Sequence, residues 1–220
     1  MKHFICIFTL LGLTAVSGVA KDAGSDWPVV YHEDFSSGKA EGWTFADPKV
    51  WKVVQDGDES FLSSTDDSDY KPEVRSPENI AWLEDLKVGS FVLDATVRST
   101  QAEYGHRDVC FLFNRVDPVH YYYVHIATKA DAHANSVFLV NGKPRVSICD
   151  DRTDGTKWTE HWHHVRVVRD VDSGKIQIFF DDMETPIMKA SDKTFTEGGI
   201  GFGSFDDTAD LLEITVRAPK

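Results

Sequence analysis

Short runs of β-branched and aromatic residues follow one another through most of the chain, and turn-forming residues separate them. Hairpin turns are indicated at Asn141-Gly142, at Asp154-Gly155 and at 172–174. A strand-rich chain of this kind buries its apolar faces by packing two antiparallel sheets on each other. The predicted strands are 91–99, 109–116, 121–128, 136–142, 145–149, 163–170, 175–182, 199–205 and 211–218.

The window 76–86 is the one segment with helix signals. Ser76 could cap a helix, and Pro77 suits the first helical position. The same window also fits a loop or an edge strand, so the sequence leaves these three structures open. Outside this window we predict an all-β fold.

The N-terminal segment has the pattern of a secretory signal. Lys2 gives a positive start, residues 4–16 are apolar, and the small residues at 18–20 suit a signal peptidase. We therefore expect residues 1–20 to be removed, residues 21–220 to form a single domain, and the mature protein to be secreted or periplasmic. The alternative is a retained N-terminal anchor. No other apolar run approaches the roughly 20 residues of a membrane-spanning helix.

Charge and cysteine content narrow the functional classes. Acidic residues outnumber basic ones by 36 to 23, which gives a formal net charge of -13 at pH 7. Because this charge repels polyanions, we do not expect nucleic acid as a partner.

Removal of Cys6 with the signal would leave Cys110 and Cys149. An even pair permits a disulfide in an oxidising compartment, and burial as two free thiols is the alternative.

Titratable and hydrogen-bonding side chains concentrate in VHYYYVHIATKADAHAN, residues 119–135. In a strand with a period of two, Tyr122, Val124 and Ile126 share one face, which we predict to be core. The opposite face is then the candidate binding surface. It carries Tyr121, Tyr123 and His125.

The neighbouring segments add further candidates to this surface. One face of 109–116 carries Cys110, Leu112 and Asn114, and the other carries Phe111, Phe113 and Arg115. The strand ends bring in His106, Arg107, Asp131, His133 and Asn135.

Recognition of a sugar requires flat aromatic faces for the ring C–H groups and planar hydrogen-bonding groups for the hydroxyls. This set of side chains supplies both, so we predict a poly- or oligosaccharide as the partner. The plainer interpretation is that these tyrosines and histidines are ordinary strand and turn residues. The predicted substrate-binding residues are Tyr121, Asn114, Asn135, His133 and Arg115.

The same region contains metal-ligand types in His120, His125, Asp131 and His133. No tight motif connects them, and His120 and His125 would point to opposite faces of a regular strand. We therefore assign no metal ligand. A structural calcium ion is the one cofactor left open, although the acidic residues of 63–73 are poorly spaced for a calcium loop.

Three stretches resemble secreted concanavalin A-like lectin/glucanase domains. They are YHEDFSSGKAEGW at 31–43 with WKVV at 51–54, WHHVRVVRDVDSGKIQIFFDD at 162–182, and GGIGFGSFDDTADLLEITV at 198–216. The resemblance implies a two-sheet antiparallel jelly-roll sandwich with a curved sheet that can bind glycans. The group includes laminin-G-like domains, laminarinase-type hydrolases, alginate-lyase-type jelly rolls and 3-keto-disaccharide hydrolase domains.

Departures from these families bear on activity. The E-x-D-x-x-E strand of the laminarinase type is absent, so the resemblance disfavours hydrolysis by paired carboxylates. Leu212-Glu213 stands where Asp-Asn is usual, which argues against a calcium site there. In the alginate-lyase type a His and a Tyr move protons beside an Arg and an Asn, and this chain has those residue types, although the strings Q-I-H and Y-x-K-x-G are missing. The implied catalytic residues are His125, Tyr123, His106 and Arg107.

Two functional hypotheses result. The first is a secreted carbohydrate-recognising sandwich, either a binder or a glycan-active enzyme of the lyase or 3-keto-glycoside hydrolase type. The second is a non-catalytic laminin-G-like binding or adhesion module. The enzymatic version requires His125 to share one pocket with Arg107 or His106.

Overall fold

The computed structural model describes residue 24 and residues 26–220, and the predicted signal segment 1–20 lies outside them. Antiparallel strands make up nearly all of the regular structure, with one short 3₁₀ turn at Pro48–Val50. The strands are β1 (Val29–Glu33), β2 (Trp43–Phe45), β3 (Trp51–Asp56), β4 (Glu59–Ser64), β5 (Asn79–Leu83), β6 (Phe91–Ser99), β7 (Asp108–Asp117), β8 (His120–Ala127), β9 (Ser136–Asn141), β10 (Val146–Ser147), β11 (Cys149–Arg152), β12 (His163–Arg169), β13 (Lys175–Phe180), β14 (Met188–Ser191), β15 (Gly199–Ser204) and β16 (Ala209–Arg217).

These strands form two sheets. The larger sheet has the spatial order β11-β14-β13-β12-β6-β16-β4-β3, and β1 pairs with β16. The smaller sheet has the order β10-β9-β8-β7-β15-β5-β2. The strand pairs in both sheets are antiparallel. The predicted all-β, two-sheet antiparallel sandwich is thereby confirmed.

The main core lies between the two sheets and follows from the alternation of side chains along each strand. The predicted core residues of β8, Tyr122, Val124 and Ile126, are fully buried in it. Phe111 and Phe113 of β7 join them. The period of two therefore assigned the faces of β8 correctly.

A second, smaller apolar layer lies on the outer face of the smaller sheet. Tyr121 and Tyr123 of β8 pack there, with Tyr70 and Val74 of the segment 65–78 against the same cluster. Both β8 tyrosines are almost completely buried, at 1% and 0% exposure. The face predicted to lie opposite the core is therefore largely covered by chain rather than fully open.

A bulge in β7 changes the orientation of two predicted site residues. The register with β8 shifts after Phe113, and Asn114 has a left-handed backbone with φ of 46°. Asn114 turns towards the larger sheet, where its Oδ1 accepts a hydrogen bond of 3.1 Å from Arg169 Nε. Arg115 in turn emerges over the ring of Trp82. The alternation predicted for 109–116 is correct as far as Phe113 and wrong beyond it.

Helical structure is scarce. The ambiguous window 76–86 contains strand β5, which lies between β15 and β2 and is not a sheet edge. Of the three structures that the sequence left open, a strand is the correct type, but the edge position predicted for it is wrong, because β15 and β2 flank it. Within the part of the chain that the structure describes, no helix combines the length and the apolar character needed to cross a membrane.

Candidate functional site

A pocket of about 220 Å³ lies on the outer face of the smaller sheet. Strands β2, β5, β7 and β8 all contribute to its walls. We call it the aromatic pocket, because its lining includes Phe45, Tyr70, Trp82 and Tyr121 beside the guanidinium of Arg115.

Contacts within the pocket fix the orientation of Trp82. The rings of Trp82 and Tyr121 meet edge to face, with centroids 5.7 Å apart and planes at 79°. Arg115 Cζ lies 4.4 Å from the centroid of the Trp82 ring, which is a cation–π distance. Arg115 Nε is buried and has no hydrogen-bond partner among the described residues. A buried donor without a partner costs free energy, so this N–H favours a ligand that brings an acceptor.

The phenols of the pocket are neutral at physiological pH. Burial raises the pKa of Tyr70 and of Tyr121 above the ordinary value. A neutral phenol can both donate and accept a hydrogen bond, which suits a sugar hydroxyl. A phenolate base would need a pKa near the working pH. At neutral pH these two phenols are therefore hydrogen-bonding groups rather than bases.

Farther along β8, polar side chains are buried beneath the outer face. His125 is the cross-strand neighbour of Cys110, and Asp108 precedes Cys110 by two positions. His125 Nε2 lies 3.1 Å from Asp108 Oδ2. Cys110 Sγ donates to the same oxygen at 3.1 Å. We call Asp108, Cys110 and His125 the buried cluster.

The buried cluster is closed to a large substrate. His125 is only 3% exposed, and its ring lies 5.9 Å from that of Phe205, centroid to centroid. The guanidinium carbon of Arg145 in turn lies 4.0 Å from the centre of the Phe205 ring. The Tyr123 hydroxyl is buried as well and has no hydrogen-bond partner in the described residues. A polysaccharide cannot reach His125 or Tyr123 in this arrangement.

The other two predicted catalytic residues have structural contacts. The Arg107 side chain is 1% exposed, and its Nη2 donates to the carbonyl oxygens of Ser99 at 2.8 Å and Thr159 at 3.0 Å. His106 is exposed, and its Nε2 lies 2.6 Å from Asp131 Oδ2. The enzymatic hypothesis requires Arg107 or His106 to share a pocket with His125, and each of these two side chains is instead held by contacts of its own.

The predicted substrate-binding residues divide into two groups. Tyr121 and Arg115 line the aromatic pocket. Asn114 and Asn135 are fully buried, and their amides hold backbone and side-chain groups of the fold. His133 is exposed, and its carbonyl oxygen, not its ring, contacts His125.

Sequence reasoning missed Trp82, Tyr70 and Phe45. Trp82 lies in the window whose structure was left open, and an alternating pattern in NIAWL would have placed Ile80 and Trp82 on one face. Tyr70 comes from an acidic segment that was interpreted as a solvated loop. Its side chain instead packs on the outer face of the smaller sheet.

A second pocket, of about 360 Å³, is acidic and lies beside the turn 205–208. Burial, followed by the charge of Asp108, raises the pKa of Asp207 to about 7. Tyr104 donates to Asp207 Oδ1 at 2.6 Å, and the Asp108 backbone N–H donates to Oδ2 at 2.8 Å. Both oxygens of the Asp207 carboxyl group accept these hydrogen bonds, so the group holds the turn 205–208 against Tyr104 and Asp108. Asp206 is the exposed acid of the pair.

The cysteines do not form the disulfide that the sequence permitted. Cys110 and Cys149 are both free thiols, and they lie on different sheets, in β7 and β11. Cys149 Sγ donates to the carbonyl oxygens of Asp151 and Lys189. The alternative of two free thiols is the one that the structure shows, with Cys110 buried and Cys149 half-buried.

The chain matches no protein-family model and no curated protein. Solved structures do share its fold. The carbohydrate binding module CBM66 from Bacillus subtilis is 14% identical, with a TM-score of 0.57 over 80% of this chain and 96% of that one. A protein of unknown function with a galectin-like fold, also from Bacillus subtilis, is 12% identical, with a TM-score of 0.56 over 87% and 97%.

A larger protein contains a similar sandwich. The xylan beta-1,4-xylosidase from Bacillus halodurans C-125 is 12% identical, with a TM-score of 0.57 over 84% of this chain and 38% of that one. At such identities the likeness establishes the fold alone. It confirms the concanavalin A-like, galectin-like sandwich and does not select the laminin-G or the 3-keto-disaccharide hydrolase family.

Proposed function

We propose that this protein is a carbohydrate-binding sandwich that holds a sugar ring in the aromatic pocket. Trp82 and Tyr121 would contact the ring C–H groups, and Arg115 would donate to an oxygen of the sugar. The observation that carries the proposal is the Arg115 guanidinium on the Trp82 ring, with a buried and unpartnered Nε among the described residues. The indole holds the guanidinium of Arg115 in place before a ligand arrives, which lowers the cost of ordering this side chain to donate to a ligand oxygen.

The similar folds support a sugar as the ligand. One of them is named a carbohydrate binding module, and another is part of a xylosidase. The pocket volume of about 220 Å³ suits one or two sugar rings rather than a protein surface.

Binding without cleavage is the version that the geometry favours. A lyase or 3-keto-glycoside hydrolase mechanism would need His125, Tyr123 and Arg107 around the substrate, and all three are buried. We therefore propose a non-catalytic module, acting outside the cytoplasm after removal of residues 1–20. A laminin-G-like adhesion module with a protein partner is the competing hypothesis.

A glycan panel tests the proposal when each glycan is scored for retention and for release of products. We expect the full-length protein to retain a subset of poly- or oligosaccharides and to release no product from them. Product formation that disappears in His125→Ala would establish the enzymatic version instead. Failure to retain any glycan, together with capture of a defined extracellular protein, would establish the adhesion version.

Substitution of Trp82 then tests whether the sugar binds in the aromatic pocket. Trp82→Ala should weaken binding of a retained glycan at least about tenfold, or ~1.4 kcal/mol, because it removes the stacking surface and the support of Arg115. The matched control is Trp162→Ala, which removes an indole that packs on Phe61 of the larger sheet. Equal affinities for Trp82→Ala and the wild type would show that the sugar binds elsewhere.

A further inference from the structure

The buried cluster combines three different metal-ligand types on one face of one sheet. Asp108 and Cys110 lie two residues apart on β7, so they share a face, and His125 is the neighbour of Cys110 on β8. One donor atom from each residue lies within 4.8 Å of the other two. All three residues are buried.

The contact of His125 with His133 determines which ring nitrogen of His125 carries a hydrogen. Its Nδ1 lies 3.0 Å from the carbonyl oxygen of His133. A carbonyl oxygen can only accept, so Nδ1 carries a proton, and in the neutral imidazole Nε2 has the lone pair. A histidine that ligates a metal usually donates its other ring N–H to a carbonyl or carboxylate in this way.

The environment of Nε2 is what points to a ligand. Nε2 is 3.1 Å from Asp108 Oδ2, yet this contact is not a hydrogen bond, and Nε2 is buried with no hydrogen-bond partner among the described residues. If the ring is neutral, two electron-rich atoms face each other out of water, which is unfavourable, and either a proton on Nε2 or a bound cation removes the repulsion. A cation bound by both atoms turns that repulsion into attraction.

The charge and softness of the donors indicate the class of ion. Asp108 and a Cys110 thiolate contribute one negative charge each, and a neutral His125 contributes none, so a divalent ion makes the buried site neutral. Sulfur and imidazole donors favour zinc and its neighbours over calcium or magnesium.

We infer that Asp108, Cys110 and His125 bind one divalent transition-metal ion of the zinc type. Binding replaces the S–H bond of Cys110 with a metal–sulfur bond and releases that proton to solvent, so no oxidant or reductant is required. The ion would join β7 to β8 beneath the turn that begins at Phe205, whose N–H donates to Asp108 at 3.0 Å. The site is distinct from the aromatic pocket and does not depend on the proposed glycan function.

Cobalt provides the first test, because a cobalt–thiolate bond has a charge-transfer absorption that carboxylate and histidine ligands alone do not produce. The full-length double variant Cys6→Ser/Cys149→Ser retains Cys110 as its one thiol. With this variant we expect a thiolate band that saturates at one equivalent of cobalt and disappears on addition of zinc but not calcium. The matched variant Cys6→Ser/Cys110→Ser, which retains Cys149, should show no band.

A second measurement needs no substitution at Cys110. X-ray absorption of the zinc-loaded Cys6→Ser/Cys149→Ser protein should show one sulfur at about 2.3 Å together with nitrogen or oxygen at about 2.0–2.2 Å. Zinc at about 100 times its Kd should also raise the Tm of this variant by about 5–10 °C. If zinc scatters from nitrogen and oxygen only, or if cobalt gives no thiolate band, the inference is wrong and His125 and Asp108 form a metal-free pair.

Discussion

At the scale of single residues, Asp94 is a point where cations of the larger sheet converge. Arg166 Nε lies 2.7 Å from its Oδ1, and Arg217 Nη1 lies 3.0 Å from its Oδ2. His164 Nε2 is 3.4 Å from Oδ1. Burial would raise the pKa of Asp94, but the hydrogen bonds of His164 and Arg166 and the charge of Arg166 outweigh it and lower this pKa.

The lowered pKa of Asp94 gives a pH dependence with a definite sign. A carboxyl group whose pKa is lower in the folded state stabilises the fold above its unfolded pKa, near 3.8, and this contribution is lost as the pH falls through the folded pKa. Asp94→Asn should therefore lower the free energy of unfolding by about 1–3 kcal/mol at pH 7 and by progressively less below pH 4. Urea unfolding at pH 7 and pH 3 measures both values.

The control for Asp94 is an exposed acid of the same sheet. Asp151 lies 3.4 Å from Lys189 Nζ with 70% of its side chain exposed. Because exposed pairs contribute little, Asp151→Asn should change stability by less than about 0.5 kcal/mol at either pH. If Asp94→Asn lowers the free energy of unfolding as much at pH 3 as at pH 7, the contribution does not come from the Asp94 carboxylate.

At the scale of elements, strand β15 depends on its glycines to lie against β5. A Cβ at Gly201 would lie 2.6 Å from Trp82 Cε3 and 2.9 Å from the carbonyl oxygen of Ala81. A Cβ at Gly203 would lie 1.8 Å from the carbonyl oxygen of Asn79. The indole of Trp82 thus rests on a strand surface that has no side chain at this point, and β15 helps to shape the aromatic pocket.

Two substitutions on β15 test this dependence. Gly201→Ala should destabilise the protein by about 1–3 kcal/mol and weaken glycan binding, because the added methyl group must displace the Trp82 ring. At Gly199 the nearest atom to an added Cβ is 3.8 Å away, which is ordinary contact. Gly199→Ala should therefore leave both properties close to wild type. Thermal unfolding and a titration with a retained glycan measure them, and equal effects of the two variants would contradict the argument.

At the scale of the whole molecule, the two outer faces of the sandwich differ in chemistry. The smaller sheet carries the aromatic pocket, while the larger sheet carries ion pairs such as Arg98 with Asp210 at 2.7 Å. The chain as a whole has a net charge of -13. An approaching polyanion therefore meets a repulsive field before it can reach the single guanidinium of Arg115.

The electrostatic field of this negative charge predicts how salt changes the retention of charged and neutral glycans. Raising the ionic strength from about 0.01 M to 0.15 M shortens the Debye length from about 30 Å to 8 Å. Retention of a polyuronate should therefore rise with salt, while retention of a neutral glycan should stay constant. Column retardation at the two salt concentrations measures the difference. A polyuronate that binds less well in salt would mean that the local charge of Arg115 outweighs the field of the molecule.

Where a strand is regular, the local sequence pattern was sufficient to predict which face of the sheet each side chain occupies. The faces of Tyr121 and Tyr122 were predictable because successive side chains of a strand point in opposite directions whatever the strand packs against. The same rule failed at Asn114 and Arg115, because a bulge at this point of β7 shifts its register with β15 by one residue. That bulge is stabilised by Arg169 on the opposite sheet, which no local pattern of β7 contains.

By itself the sequence determined the fold class, most strand positions and the side of β8 that enters the core, since these depend on the local period of side chains. Only the tertiary structure decided which polar residues are accessible. The segment 65–78 and the turn 205–208 lie against the outer face of the smaller sheet, so Tyr123 and His125 are buried, whereas Trp82 of β5 and Arg115 of β7 meet at a pocket. Burial and proximity depend on segments far apart in the chain, and a periodic pattern carries no record of those contacts.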